Sequence, residues 1–285
     1  MDVVETRELR YFLAVADERH FGRAAKRLGI AQPPLSRAIG QLERRLGGRL
    51  FERTSRGVSL TGAGEVLARE GRVALTAVEA AERRTRRAAL SAGGPPGIVL
   101  ATKAGASSEL LAKLLDAYAA EPGAVPVEVV LCTRGEQQLV LHDGRADVAL
   151  LHLPFDPVDG LDHEVLGTEG QVAVLPAGHP LTTRAQLTLA EVENIPGLPG
   201  PRHVGPDGTI PDGPGPTVRD ALQLLELVAL GRASAIVPES GRALLRPGLV
   251  AIPVLDATPV TTVIAWPPDS RSTAVAALVQ TATQL

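Results

Sequence analysis

Apolar residues recur at helical spacing in the first part of the chain. Leu9, Phe12, Leu13 and Ala16 fall at i, i+3, i+4 and i+7, and Phe21, Ala24, Ala25 and Leu28 repeat that interval. Gly29 comes next, where a residue just past a helix end takes positive φ. Gln32-Pro33-Pro34 then opens another helix, because proline suits a first helical turn. Leu35, Ile39, Leu42 and Leu46 form its apolar stripe. Helices over 21–28 and 32–46, joined by about three residues that include a glycine, make a helix-turn-helix pattern.

At about 100° per residue, the opposite face of the second helix gathers Pro33, Ser36, Arg37, Gly40 and Arg44, with Gln32 and Pro34 at its start. An amide, a hydroxyl and a guanidinium near a helix N-terminus are what contacts to base edges and phosphates require. Gly40 adds no bulk there. The plainer alternative is a polar surface helix, but spacing, turn and outward chemistry agree on DNA. Alternation of Phe51 with Arg53, and of Val58 with Leu60, around Gly57 predicts a short hairpin, or wing, presenting Arg53 and Arg56 to phosphates. Thr61 suits the N-cap of the next helix. From 62 to 91 no proline occurs. Positions 67, 71, 74, 78, 81, 85 and 88 carry Leu, Gly, Ala, Val, Ala, Thr and Ala, a narrow seam suited to pairing of two chains, or to packing on its own domain.

Charge sharpens the division. The net charge of −3 is the sum of 18 Lys+Arg against 11 Asp+Glu in residues 1–90 (+7) and 11 against 21 in residues 91–285 (−10). A basic head on an acidic body points to a polyanionic partner for the head. The 285 residues suggest two domains or more. Hydrophobic residues make up 45% and aromatics only 2%, so the core is aliphatic. No apolar run approaches the ~20 residues of a membrane span. The charged first ten residues do not read as a signal peptide, and a single cysteine, Cys132, fits a reducing, cytoplasmic setting.

The head resembles the LysR-type transcriptional regulators. The matching residues are Leu9-Arg10-Tyr11-Phe12, Ala24-Ala25, Gln32-Pro33-Pro34-Leu35-Ser36-Arg37, Leu42-Glu43, Leu50-Phe51-Glu52-Arg53 and Leu60-Thr61-Gly62-Ala63-Gly64. The resemblance implies an α+β multidomain chain: a winged helix-turn-helix, a long dimerising linker helix, and a two-lobed α/β effector domain like a periplasmic binding protein. It also implies homodimers that often pair into homotetramers. One departure is Gly22, where the family usually has a small hydroxyl residue capping the second helix. The expected divisions are 1–62 for the DNA-binding domain, 63–91 for the linker and 92–285 for the effector domain. Lobe one takes 97–165 and 262–285, and lobe two takes 166–261.

Beyond a hinge at Ser91–Gly97, strands are expected at 98–102, 126–132 and 147–152 and helices at 107–120 and 135–143, a β-α-β-α-β order that gives a parallel sheet. Further strands are expected at 171–175, 235–237, 249–254 and 260–266, and helices near 217–230, 240–245 and 270–283. Gly144-Arg145-Ala146-Asp147, Gly178-His179-Pro180-Leu181 and Leu227–Gly231 resemble the family's effector domain more loosely. Ligands of such sheets sit beyond strand C-termini, between lobes. The candidate effector residues are therefore Thr102, Lys103, Arg134 and His152, with Pro201, Arg202 and His203 from the second lobe. Their charge suits a small anion, and Glu136 is the one acid expected among the strand-end turns. Residues 195–216 hold seven prolines and six glycines, which excludes a regular helix and reads as an effector lid or a surface insertion.

An enzyme is not expected. The chain shows no Gly-x-Ser-x-Gly elbow, no phosphate loop and no paired-histidine metal helix, so neither a cofactor nor a metal is implied. A pure solute-binding protein would explain the lobes but not the basic head. The reading that covers both is a DNA-binding regulator controlled by a small-molecule effector.

Overall fold

The computed structural model describes residues 4–54, 57–90, 97–205 and 207–285. The chain forms two compact units, Met1–Arg83 and Arg84–Leu285, each described by itself.

In the first unit, α1 (Thr6–Glu18), α2 (Phe21–Leu28) and α3 (Gln32–Leu46) enclose one core with a hairpin of β1 (Phe51–Thr54) and β2 (Gly57–Leu60). Gly29 and Gly47 end α2 and α3 with φ of 68° and 75°, a conformation that favours glycine. Phe12 and Phe21 both pack on Phe51, with ring centroids 5.1 and 5.9 Å apart. Three of the chain's four phenylalanines thus serve the smaller unit, whose core is short of volume. Leu46 departs from the expected stripe: it is exposed at the last turn of α3.

Glu43 on α3 accepts hydrogen bonds from the Leu50 and Phe51 amides (2.8 and 3.3 Å), which fixes the wing to the helix. Thr61 caps α4 (Gly62–Leu90), accepting from Gly64 N–H at 3.1 Å while its hydroxyl donates to the Arg49 carbonyl. Gly64 is required at that corner, since a Cβ there would lie 2.1 Å from the Leu50 carbonyl oxygen. The seam expected along α4 divides. Leu67 and Gly71 face their own unit, with Leu67 on its core and Gly71 against Leu9, and Ala68 and Leu75 complete that packing. The outward face instead carries Val66 and Val73, 50% and 65% exposed, with Ala77. The outward positions 66, 73 and 77 each precede an expected seam position by one residue, about 100° around the helix, so the two faces are distinct.

The second unit holds two main sheets. In the first, β3 (Ile98–Lys103), β4 (Val127–Cys132), β5 (Val148–Leu153), β6 (Asp162–Glu169) and β12 (Val260–Trp266) run in the order β4-β3-β5-β12-β6. The three leading strands are parallel, joined by α5 (Ser108–Ala119) and α6 (Glu136–His142), and β12 runs antiparallel to both β5 and β6. Strand β6 is absent from the sequence-based expectation. Its exposed, charge-rich sequence hides strand character, because it is an edge strand. It carries the first sheet to Glu169, past the expected lobe change at 165/166, and β12 joins that sheet from Val260 rather than 262. The second sheet, β10 (Ala235–Pro238), β7 (Gln171–Pro176) and β11 (Leu249–Val254), is antiparallel, with β7 central. α7 (Leu189–Glu193), α8 (Ala221–Ala229) and α9 (Thr273–Ala282) complete the described helices of this unit, with short 3-10 turns at Pro180–Thr183 and Glu239–Leu244. The Pro/Gly stretch contains β8 (Arg202–His203), which pairs in parallel with β9 (Thr217–Val218) just beyond it, and no helix among its described residues. Arg87 near the end of α4 donates to Asp147 at 2.6 Å, and Asp147 also accepts from Val99 N–H, so the start of β5 anchors the linker's last turns. The expected hinge at 91–97 lies almost wholly outside the described residues.

Candidate functional site

The first candidate surface is on α3. Gln32, Pro33, Pro34, Ser36 and Arg37 are all exposed, while Leu35, Ile39 and Leu42 are buried on the other side. The helix begins at Gln32, so these residues sit in its first two turns, at the electropositive end of the helix. The helix before it is capped by His20, whose Nδ1 accepts from the Gly22 and Arg23 amides (3.0 and 3.3 Å). This explains the departure at Gly22. A Cβ at that position would lie 3.0 Å from the imidazole, so the histidine cap and the glycine go together. Arg53 lies on β1 opposite Val58 in the backbone register. Arg56 is outside the described residues.

The second is a cavity of about 370 Å³ between the two sheets of the second unit. That volume accommodates a small metabolite. Its polar end comes from the carboxyl ends of β3, β4 and β5: Lys103, Ser107, Thr133, Arg134 and His152. Its apolar wall includes Phe155, Leu224, Leu225, Ile236, Val237 and Leu244. The first turns of α5 and α8 both reach it, through Ser107 on one side and Asp220 and Ala221 on the other. Gly105, at φ 80°, lets the β3–α5 turn pass close to α8, where a Cβ would stand 3.2 Å from Ala221 Cβ.

Of the residues expected here, Lys103, Arg134, His152 and His203 are brought together on the wall. Three are not. Thr102 points into the sheet, fully buried, with a hydroxyl that finds no partner. Pro201 lies off the wall. Arg202 turns back on its own loop, donating to the Gly215 carbonyl at 2.7 Å and the Pro211 carbonyl at 3.4 Å. In a segment so poor in regular backbone pairing, a guanidinium satisfies carbonyls that no ladder reaches.

The charge balance also differs from expectation. Glu136 does not serve the cavity cations: it accepts from the Thr133 amide and hydroxyl at the start of α6. The acid is Asp156. Its Oδ2 accepts from Lys103 Nζ (3.1 Å) and from the His152 amide (2.9 Å) and lies 3.4 Å from His152 Nδ1. Burial opposes ionisation of Asp156, but the contacts with His152 and Lys103 outweigh it and hold the carboxyl below its ordinary range. The available signal is Pro154, which ends the strand one residue after Leu153 and turns Phe155 and Asp156 back toward it. Lys103 is therefore neutralised. Arg134 makes no ion pair among the described residues, and its guanidinium carbon stands 5.7 Å from the Phe155 ring centroid. Burial first, then the charges of Arg134 and Lys103, push His203 down to about 4. Cys132 is buried at the wall, with a thiol pushed up to about 11, chiefly by burial, which keeps it protonated and unreactive.

A winged helix-turn-helix with an exposed recognition face, together with a two-lobed unit around a metabolite-sized cleft, defines an effector-binding DNA regulator. The comparisons agree. "Bacterial regulatory helix-turn-helix protein, lysR family" matches residues 6–65, and "LysR substrate binding domain" matches residues 95–285. An uncharacterized HTH-type transcriptional regulator of Escherichia coli, YnfL, is 34% identical over 83% of this chain and 83% of its own length. The HTH-type transcriptional regulator BudR of Raoultella terrigena is 32% identical over 95% and 98%. Among solved structures, full-length BenM superposes with a TM-score of 0.53 at 28% identity, covering 99% of this chain and 96% of that one. Full-length CbnR in complex with its target DNA gives a TM-score of 0.52 at 25% identity, covering 99% of each. The chain belongs to the LysR family of DNA-binding transcriptional regulators with an effector-binding domain. Among the described residues, no helix is long and apolar enough to cross a membrane and no group of three or more His, Cys, Asp or Glu is placed to hold a metal ion.

Proposed function

We propose that this chain is a cytoplasmic transcription factor that binds promoter DNA through Gln32, Pro33, Pro34, Ser36 and Arg37, with Arg53 and Arg56 on the backbone. The effector is a small organic acid with an apolar body, held between the lobes by Lys103, Arg134, His152 and His203. The output is occupancy of DNA, and no turnover is needed for it. CbnR with its target DNA supports the first half. The exposed Val66, Val73 and Ala77 face of α4 supports a homodimer, assembled further into a homotetramer.

Arg134 carries the choice of an acid. It is a half-buried cation on the cavity wall, without an ion pair among the described residues, beside an apolar surface. A carboxylate would supply the missing charge, and helix N-termini from both lobes favour the same sign. Thermal shift with a panel of small aromatic and aliphatic acids tests this. An acid at ~100 times its Kd should stabilise the protein by about 2.7 kcal/mol. Arg134→Ala should abolish that protection. Full protection of the variant by the same acid would remove this site from the reading.

A further inference from the structure

Ser107 stands where a helix N-cap belongs, one residue before α5, yet its hydroxyl makes no cap. It is held at φ 50°, ψ 29°, a left-handed conformation that few residues other than glycine adopt. Both features need a reason. The hydroxyl oxygen is 2.8 Å from His152 Nε2, and the far ring nitrogen, Nδ1, is 3.4 Å from the Asp156 carboxylate, a charge contact outside hydrogen-bond geometry. His152 and Asp156 are 3% and 2% exposed, so this line of groups is set inside the protein, while Ser107 and His152 both reach the cavity wall.

The proton arrangement is set by electrostatics. A ring nitrogen beside an ionised carboxylate carries the hydrogen, because a lone pair there would face negative charge. The hydrogen therefore sits on Nδ1, and Nε2 presents its lone pair to the Ser107 hydroxyl. Lys103 and the His152 amide fix the carboxylate from the other side. Ser107 comes after Gly105-Ala106 on a sharp turn from β3 into α5. The first bond of α5 runs from Leu111 N–H to the Ser107 carbonyl, so the amides of Ser108, Glu109 and Leu110 precede the helical ladder and form its electropositive end. A strained serine on a strand-to-helix turn, a base, an acid behind the base and a helix N-terminus opening at the serine are the parts of acyl-transfer chemistry. The Gly-x-Ser-x-Gly pattern misses it because Glu109 stands where the last glycine would be.

We propose that Ser107, His152 and Asp156 form a nucleophilic relay in the inter-lobe cleft that takes an acyl group from a small ester, thioester or lactone. Ser107 Oγ bonds to the acyl carbon as its proton passes to His152 Nε2. The bond from that carbon to the leaving oxygen or sulfur breaks, and the leaving group takes the proton from Nε2. Water then repeats the sequence, releases the acid and restores the serine. The inference stands on this geometry and not on the identity of the effector.

The full-length protein treated with p-nitrophenyl acetate, and separately with an alkyl fluorophosphonate, tests it. Peptide mass mapping should place the acetyl or phosphonyl group on Ser107, with release of p-nitrophenol or fluoride. Ser107→Ala should abolish the adduct. His152→Gln should slow its formation by about 10²–10⁴-fold, with melting temperature used to check that each variant is folded. Absence of a Ser107 adduct on the wild-type protein overturns the proposal whatever the variants do. So does labelling of a folded His152→Gln protein at the wild-type rate.

Discussion

Arg37 and Asp156 occupy opposite kinds of position. Arg37 is exposed on the outer face of α3, and the core of its unit is complete without it. Asp156 is buried and neutralises Lys103 inside the domain it serves. In the proposed reading, one unit meets DNA with side chains that its fold does not need. The other builds its site from side chains that hold the fold together. Recognition and stability should separate in the first and be coupled in the second.

The largest effect expected from that contrast is at Asp156. Replacing it with Ala leaves Lys103 on the cavity wall without its counter-charge and removes the carboxylate beside the His152 ring. Removing one partner of a buried pair costs about 3–5 kcal/mol, and the partial exposure of Lys103 places this case near the lower end. Chemical denaturation of the second unit's transition reads it. The folded carboxyl ionises below its ordinary range, so its contribution is full above the unfolded value near 4 and is lost as pH falls further. An Asp156→Ala protein as stable as wild type at pH 7 would break the coupling.

Arg37→Ala should be the reverse case. Operator affinity should fall by ~1–3 kcal/mol, with relaxed base preference at one position, while the melting temperature stays at the wild-type value. Mobility shifts on single-base operator variants, beside calorimetry, decide it. Unchanged affinity with unchanged preference would take Arg37 out of the reading face.

The smallest effect is at His203. Its folded pKa is depressed to about 4 from 6.5, so the unfolded chain binds more protons between those values. Stability should therefore fall as pH drops from about 6.5 toward 4. His203→Gln should flatten that slope. An equally steep slope in the variant would show that His203 is not held neutral in the cleft.

The same contrast explains what could be read in the sequence. The bounds of α2 and α3 come from local rules: apolar spacing, a glycine after α2 and prolines in the first turn of α3. So does their outward face, since periodicity that fixes the buried side fixes the exposed one. Strands β3, β4, β5, β11 and β12 are legible for a similar reason, as apolar runs between turns. The cleft is not local. Asp156 meets Lys103 only because two parallel strands end side by side, and apart from the strand-ending Pro154 its sequence neighbours carry no sign of it. Arg202 and Thr102 depart from expectation because residue type and strand end do not specify which way a side chain turns. β6 escapes notice because an edge strand needs no apolar alternation. His20 could have been found from Gly22, whose lack of a side chain leaves room for the ring.

The scarcity of aromatics leaves a built-in optical reporter. Trp266 is the chain's one tryptophan. It ends β12, half-buried against the core that Tyr118, Leu150 and Leu278 share. With light absorbed by indole alone, emission from the whole protein comes from this single ring in the first sheet of the second unit. The smaller unit contributes Tyr11 and phenylalanines, and stays dark under that excitation. A shift of the emission spectrum on titration therefore reports the surroundings of β12 without a dye or a label. A protein unfolded only in its DNA-binding unit would look unchanged to the same measurement.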